Sequence, residues 1–134
     1  MKQVSIFAAN TKGAMNRITE LLKEANINLI ALVTNDSAEF GIIRMLVSDP
    51  DKAKEVLTNA GYLVQLTEVI GVEISDQCGG LNALLEDITK SNINVEYLYI
   101  SYLRDSASNV IAVFHVSDES EIEESLTAKG WKIF

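Results

Sequence analysis

Cys78 and His115 are the one cysteine and the one histidine in 134 residues. A zinc site ordinarily takes four ligands, so these two alone do not make a metal centre. Cys78 has no histidine nearby in sequence to activate a thiolate and no second cysteine to resolve one, and it reads as a small loop residue. His115 lies inside the apolar run Val110 to Val116 and reads as a packed, satisfied member of a sheet. No acid–base or nucleophile constellation stands out elsewhere. The expectation is therefore no catalytic residue, no metal and no cofactor. What remains is the chemistry of non-covalent recognition.

Two stretches are suited to it. The first is Asn10, Thr11, Lys12, Gly13, Ala14 and Met15, followed after a helical segment by Asn26-Ile27-Asn28 and Leu29. The second is Asp76, Gln77, Cys78, Gly79, Gly80 and Leu81, followed by Asn92-Ile93-Asn94 and Val95. A loop that opens a helix presents unpaired N–H groups and a partial positive charge, which can receive a carboxylate. Glycine lets a ligand come close to the backbone. Side-chain oxygens of Asn10, Asn28, Asn94 or Asp76 can accept from an α-amino group. Both ends of a free amino acid are matched in this way.

The two stretches are copies at an offset of 66. Gly13 falls on Gly79, Asn16 on Asn82, Ile18 on Leu84 and Glu20 on Glu86. Further on, Val47-Ser48-Asp49 meets Val116-Ser117-Asp118 and Gly61-Tyr62 meets Gly130-Trp131, now at an offset of 69. The three added residues sit near Arg104 to Asn109, a turn-like stretch, and a repeat that gains length only in a turn is a repeated fold unit. The domains expected are 1–67 and 68–134. A lone unit of that size buries a marginal core, so the two are expected to pack together.

Hydrophobic periodicity supplies the elements. Val4 to Ala9 reads as a strand and Ala14 to Ala25 as a helix with Ile18, Leu21 and Leu22 on one face. Ile27 to Thr34 and Phe40 to Val47 make a hairpin around an Asn35-Asp36-Ser37 turn. Ser48-Asp49-Pro50 starts a second helix, which Gly61 ends, and Tyr62 to Leu66 is a fourth strand. The second half repeats this order: Val69 to Ser75, a helix over Leu81 to Lys90, Ile93 to Leu103, Val110 to Val116, a helix from about Glu119 to Ala128, and a strand Trp131 to Phe134. The fold class is α+β: two ferredoxin-like βαββαβ units, with antiparallel sheets packed or joined side by side and helices on one face. Strand residues Leu29 to Leu32 are apolar on both faces, which predicts a partner there.

Charge narrows the partners. The net charge is −8, and all of it lies in the second half, with seven basic against seven acidic residues in 1–67 and four against twelve in 68–134. An acidic body repels phosphate backbones and anionic lipid, so neither nucleic acid nor membrane is expected as partner. Tyr97, Tyr99 and Tyr102 could suggest a base-stacking platform, but Tyr102 falls on the opposite strand face and no basic patch accompanies them. Glu119, Glu121, Glu123 and Glu124 read as a solvated helix surface. No apolar run reaches membrane-spanning length, no signal-peptide layout is present, and one cysteine suits a reducing compartment, so a cytoplasmic location is expected.

The ferredoxin-like order, the glycine turn at the first strand-to-helix junction and the Ile-Asn-apolar opening of the second strand, in two copies, resemble the ACT domain. That resemblance implies a regulatory module that senses an amino acid. It also implies units paired side by side, as in a homodimer, with ligand held between the first loop of one unit and the start of the second strand of its neighbour. Asn10 and Asn28 fall on the effector-contacting positions of the first unit, Asp76 and Asn94 on those of the second. Many members carry Pro-Gly in the turn, where this chain has Lys12-Gly13 and Cys78-Gly79. The function expected is an amino-acid-binding regulatory protein without catalytic activity, acting on a biosynthetic enzyme or regulator. Two competitors remain: a regulatory subunit whose ligand binding is vestigial, and a small ferredoxin-like enzyme acting at its loops or at Cys78.

Overall fold

The computed structural model describes residues 1–35, 40–118 and 121–134, with Phe40 by its backbone only. It divides into two compact units, Lys2–Glu68 and Val69–Phe134, with Met1 belonging to the second. Asp36 and Ser37 of the expected hairpin turn, and Glu119 at the expected start of the last helix, lie outside the described residues.

The first unit runs β1 (Lys2–Ala9), α1 (Ala14–Glu24), β2 (Leu29–Thr34), β3 (Phe40–Val47), α2 (Pro50–Asn59) and β4 (Leu63–Glu68). Its strands form one antiparallel sheet in the order β2-β3-β1-β4. Alternate residues of the two central strands, Val4, Ile6 and Ala8 with Ile43, Met45 and Val47, face the helices. Ile18, Leu21 and Leu22 of α1 and Ala53 and Leu57 of α2 close the core over them. Burying each larger side chain of this set contributes roughly 1.5–3 kcal/mol.

The second unit has β5 (Ile70–Ser75), α3 (Gly80–Lys90), β6 (Val95–Tyr102), β7 (Asn109–Val116) and α4 (Ile122–Ala128). Its sheet has the order β5-β7-β6, and Ile70, Val72 and Ile74 pack with Phe114, Leu84, Ile88, Ile122 and Leu126. The expected strand Trp131 to Phe134 is reduced to a bridge between Val72 and Ile133. Beside it Glu73 N–H donates to the Lys132 carbonyl at 3.0 Å and Phe134 N–H to that of Gly71 at 2.8 Å. Trp131 is taken up elsewhere: its N–H closes α4 on Leu126 and its indole donates to Asp87 at 2.8 Å. Three residues remain to pair, too few for a ladder.

Helix ends account for the other shifts. Asn26 N–H bonds the Lys23 carbonyl and Ile27 N–H that of Leu22, at 3.0 and 2.9 Å, with Asn26 at φ 58°. This pattern ends a helix in a left-handed residue followed by an apolar contact. Asn92 repeats the conformation at φ 56°, and Gly61 and Gly130 do so after α2 and α4. Ile27 and Ile93 therefore belong to helix endings, and the strands expected from them begin later, at Leu29 and Val95. Asp49 caps α2 as expected, accepting from Lys52 N–H at 3.1 Å with Pro50 in the first turn. Both second strands carry a bulge at the same place, between Leu29 and Ala31 and between Val95 and Tyr97, so Ile30 and Glu96 are the extra residues. No helix described is long and apolar enough to cross a membrane.

Candidate functional site

The first loop turns sharply out of β1. Thr11 N–H bonds the Ala9 carbonyl at 2.9 Å, Ala14 N–H bonds that of Thr11 at 3.2 Å, and Gly13 stands at φ 84°. A side chain at Gly13 would be strained in that region. Because the residue ahead of the helix is glycine, α1 has no side-chain cap. The helix start borders a cleft of about 360 Å3, with the Ala14 N–H already taken by Thr11. Asn10, Thr11, Gly13, Ala14 and Met15 line this cleft, and Lys12 does not. Asn16, Ala8 and Ala9 and a facing wall of Thr34, Asn35, Gly41, Ile42 and Ile43 are its other described lining residues. Sequence reasoning missed that wall. The signal for it was the antiparallel pairing of β1 with β3, which sets Gly41 opposite Ala8.

Asn28 and Leu29 lie at the other end of β2, six residues or roughly 20 Å of strand from that wall. Within the unit they are not brought together with the Asn10 loop. Asn28 is anchored through its main chain, donating its N–H to Ser48 Oγ and accepting from Ser48 N–H, both at 2.9 Å. Its side chain is exposed.

The second loop, Asp76 to Gly80, is built differently. Asp76 N–H donates to the Ser108 carbonyl at 2.9 Å and Gly80 N–H to that of Gln77 at 3.0 Å. A methyl group at Gly80 would collide with the Ser75 carbonyl, whereas its counterpart in the first unit, Ala14, carries one. In the second unit a backbone oxygen thus sits close against the start of α3. The added residues hold this corner from above: Ser106 Oγ accepts from Asn109 N–H at 3.0 Å, and the Asn109 amide donates to Glu73. That bond, with Lys132 beside it, holds the Glu73 carboxyl below its usual range. Asp76, Gln77, Cys78 and Gly79 are exposed, and Gly80 and Leu81 are half-buried.

Asn94 lines a separate cavity of about 430 Å3, with Asn92, Ile93, Ser117, Asp118 and Glu121, and Val95 does not border it. Beside it, at the bulge, Glu96 accepts from Ser117 Oγ at 2.7 Å and stands 2.7 Å from His115 Nδ1. These partners, Ser117 first, hold the Glu96 carboxyl below its usual range. Tyr97 stacks on His115 with ring centres 5.3 Å apart and planes 8° from parallel. His115 is thereby packed and partnered in the sheet, as the sequence predicts. The corresponding first-unit residues are Ile30, Ala31 and Leu46. The same bulge is apolar in one unit and polar in the other. Among the described residues no group of three or more His, Cys, Asp or Glu is placed to hold a metal ion.

Known structures and family models resemble this architecture. The crystal structure of protein BT0572 from Bacteroides thetaiotaomicron is similar at 33% identity and a TM-score of 0.91, over 99% of this chain and 90% of that one. The ligand-free regulatory subunit of aspartate kinase from Thermus thermophilus is similar at 14% identity and TM-score 0.71, over 95% and 89% of the two chains. The aspartokinase alpha and beta subunits follow at 14% and 0.66, over 94% and 87%. Identities this low speak for the fold alone. No curated protein matches the sequence. The family model described as an ACT domain pair matches residues 1–131, the span of both repeats and both glycine loops, and the chain belongs to that family.

Proposed function

We propose that this protein is a non-catalytic regulator that binds a free amino acid at the first unit's β1–α1 loop and passes its occupancy to a partner. The observation that carries the proposal is the cleft of about 360 Å3 at the uncapped start of α1. A carboxylate suits the main-chain amides of Met15 and Asn16 and the dipole of the helix start. The amide oxygens of Asn10 and Asn16 suit the ammonium group. In the second unit the Ser75 carbonyl lies close to the corresponding helix start, and that loop takes no ligand in this proposal. Asn28 reaches the ligand only when another unit supplies it, which in the proposal is a second copy of the chain in a cytoplasmic homodimer. The Thermus thermophilus protein, a regulatory subunit of aspartate kinase, indicates the kind of partner to test.

The test is a thermal-shift screen against the twenty amino acids, repeated with Asn28→Ala. Ligand at a hundred times its Kd adds about 2.7 kcal/mol and raises the midpoint by several degrees. A selective shift lost in the variant supports the proposal. No shift with any amino acid rejects it in favour of a subunit whose business is protein contact, a reading that the exposed edge residues Ile30, Ile100 and Tyr102 support.

A further inference from the structure

The reading of the cleft as an amino-acid site leaves open which amino acid enters. Resting on that reading, we infer that the ligand's side chain is uncharged and aliphatic. Among the described residues that line the cleft there is no Asp, Glu, Lys, Arg or His. The polar groups at the helix start, Asn10, Thr11 and Asn16, are needed for the carboxylate and ammonium that every amino acid carries. Most of the remaining wall is small or apolar, Ala8, Ala9, Gly41, Met15, Ile42 and Ile43, and its two polar members, Thr34 and Asn35, are uncharged. A charged side chain laid against these residues would lose water without meeting a counter-charge among them, which is costly. An aliphatic one would cover Met15, which is 45% exposed. An unbranched thioether adapts to ligand shape. The cleft lies at the small end of the range for ligand sites, as a single amino acid requires.

Titration calorimetry on the full chain distinguishes this inference from the reading beneath it. Alanine, valine, leucine, isoleucine and methionine are compared with serine, threonine, asparagine, lysine, arginine, aspartate and glutamate. An aliphatic member is expected to bind at least tenfold more tightly than any charged or hydroxyl-bearing one, with about a fourfold gain per methylene buried. Ala9→Leu, at an exposed position, fills the cleft and is expected to weaken leucine or isoleucine at least tenfold while sparing alanine. Met15→Ser, on the exposed start of α1, gives the same loss for large ligands should the Ala9 variant fail to fold. A charged or polar amino acid binding as tightly as the aliphatic ones overturns the inference and leaves amino-acid sensing standing. Unchanged leucine affinity in both variants overturns it as well. Silence with all twenty amino acids in the thermal-shift screen rejects the sensing reading, and the inference falls with it.

Discussion

Two residues of one triplet that look alike in sequence do different work. Asn26 sits at φ 58° and ends α1, whereas Asn28 opens the second strand with an exposed amide. Asn26→Gly is expected to hold or raise stability by up to about 1 kcal/mol and to leave any ligand response intact, because glycine takes the left-handed conformation more readily. Asn28→Ala is expected to keep the melting temperature, since Ser48 holds its main chain, and to lose the response. Parallel melts and titrations of the two variants check the division, and a response lost on Asn26→Gly would contradict it. Gly80 was legible only as part of a turn. The difference between Gly79-Gly80 and Gly13-Ala14 was visible in the sequence, but what it meant depended on the Ser75 carbonyl, which no local pattern reveals. Gly80→Ala is expected to destabilise by about 1–3 kcal/mol through that contact. Alanine's better helix propensity, about 1 kcal/mol, pulls the other way. Chemical denaturation decides the sign.

At the scale of elements, α3 and the segment after α4 are tied through one carboxylate. Asp87 accepts from the Trp131 indole, with Lys129 and Lys90 nearby, and the Trp131 bond first and then the two cations hold its carboxyl below the usual range. A depressed folded-state value means that the stabilisation is fully present above the unfolded aspartate pKa of about 4 and fades as pH falls through the lower folded value. Thermal melts between about pH 6 and pH 2 are therefore expected to show a loss of stability below about pH 4, with a shallower loss in Asp87→Asn. An identical slope in the variant would remove Asp87 from the account. The elements themselves were largely readable: Pro50 and Gly61 bracket α2, and Phe40 to Val47 is β3 as the composition indicates. The bulges at Ile30 and Glu96 were not, because strands apolar on both faces hide a change of face. The strand at Trp131 was over-read, since apolar alternation over four residues cannot reveal that the first is committed to closing a helix.

For the whole molecule, the repeat was the most informative feature of the sequence. An offset of 66 that becomes 69 located the inserted turn, and the structure shows what those residues do: they brace the second loop. The candidate site was legible by half, through its loop; its facing wall comes from the far end of a hairpin and depends on strand register. The edge strand β2 leaves Ile30 43% exposed, which suits pairing with a second copy. Ile30→Lys is expected to shift a homodimer toward monomer at micromolar concentration in sedimentation, and a wild-type protein already monomeric there would remove the dimer from the proposal. The proposed seat of the ligand, with an amino-acid carboxylate on the start of α1 in the first unit, is checked by titrating wild type and Ala14→Asp with whichever amino acid stabilises the protein. An aspartate in the first helical turn favours the helix but repels a carboxylate there. One saturable site per chain is expected in the wild type and at least a tenfold weaker one in a variant that melts no lower. Two equivalent sites per chain, or unchanged affinity in Ala14→Asp, would contradict it.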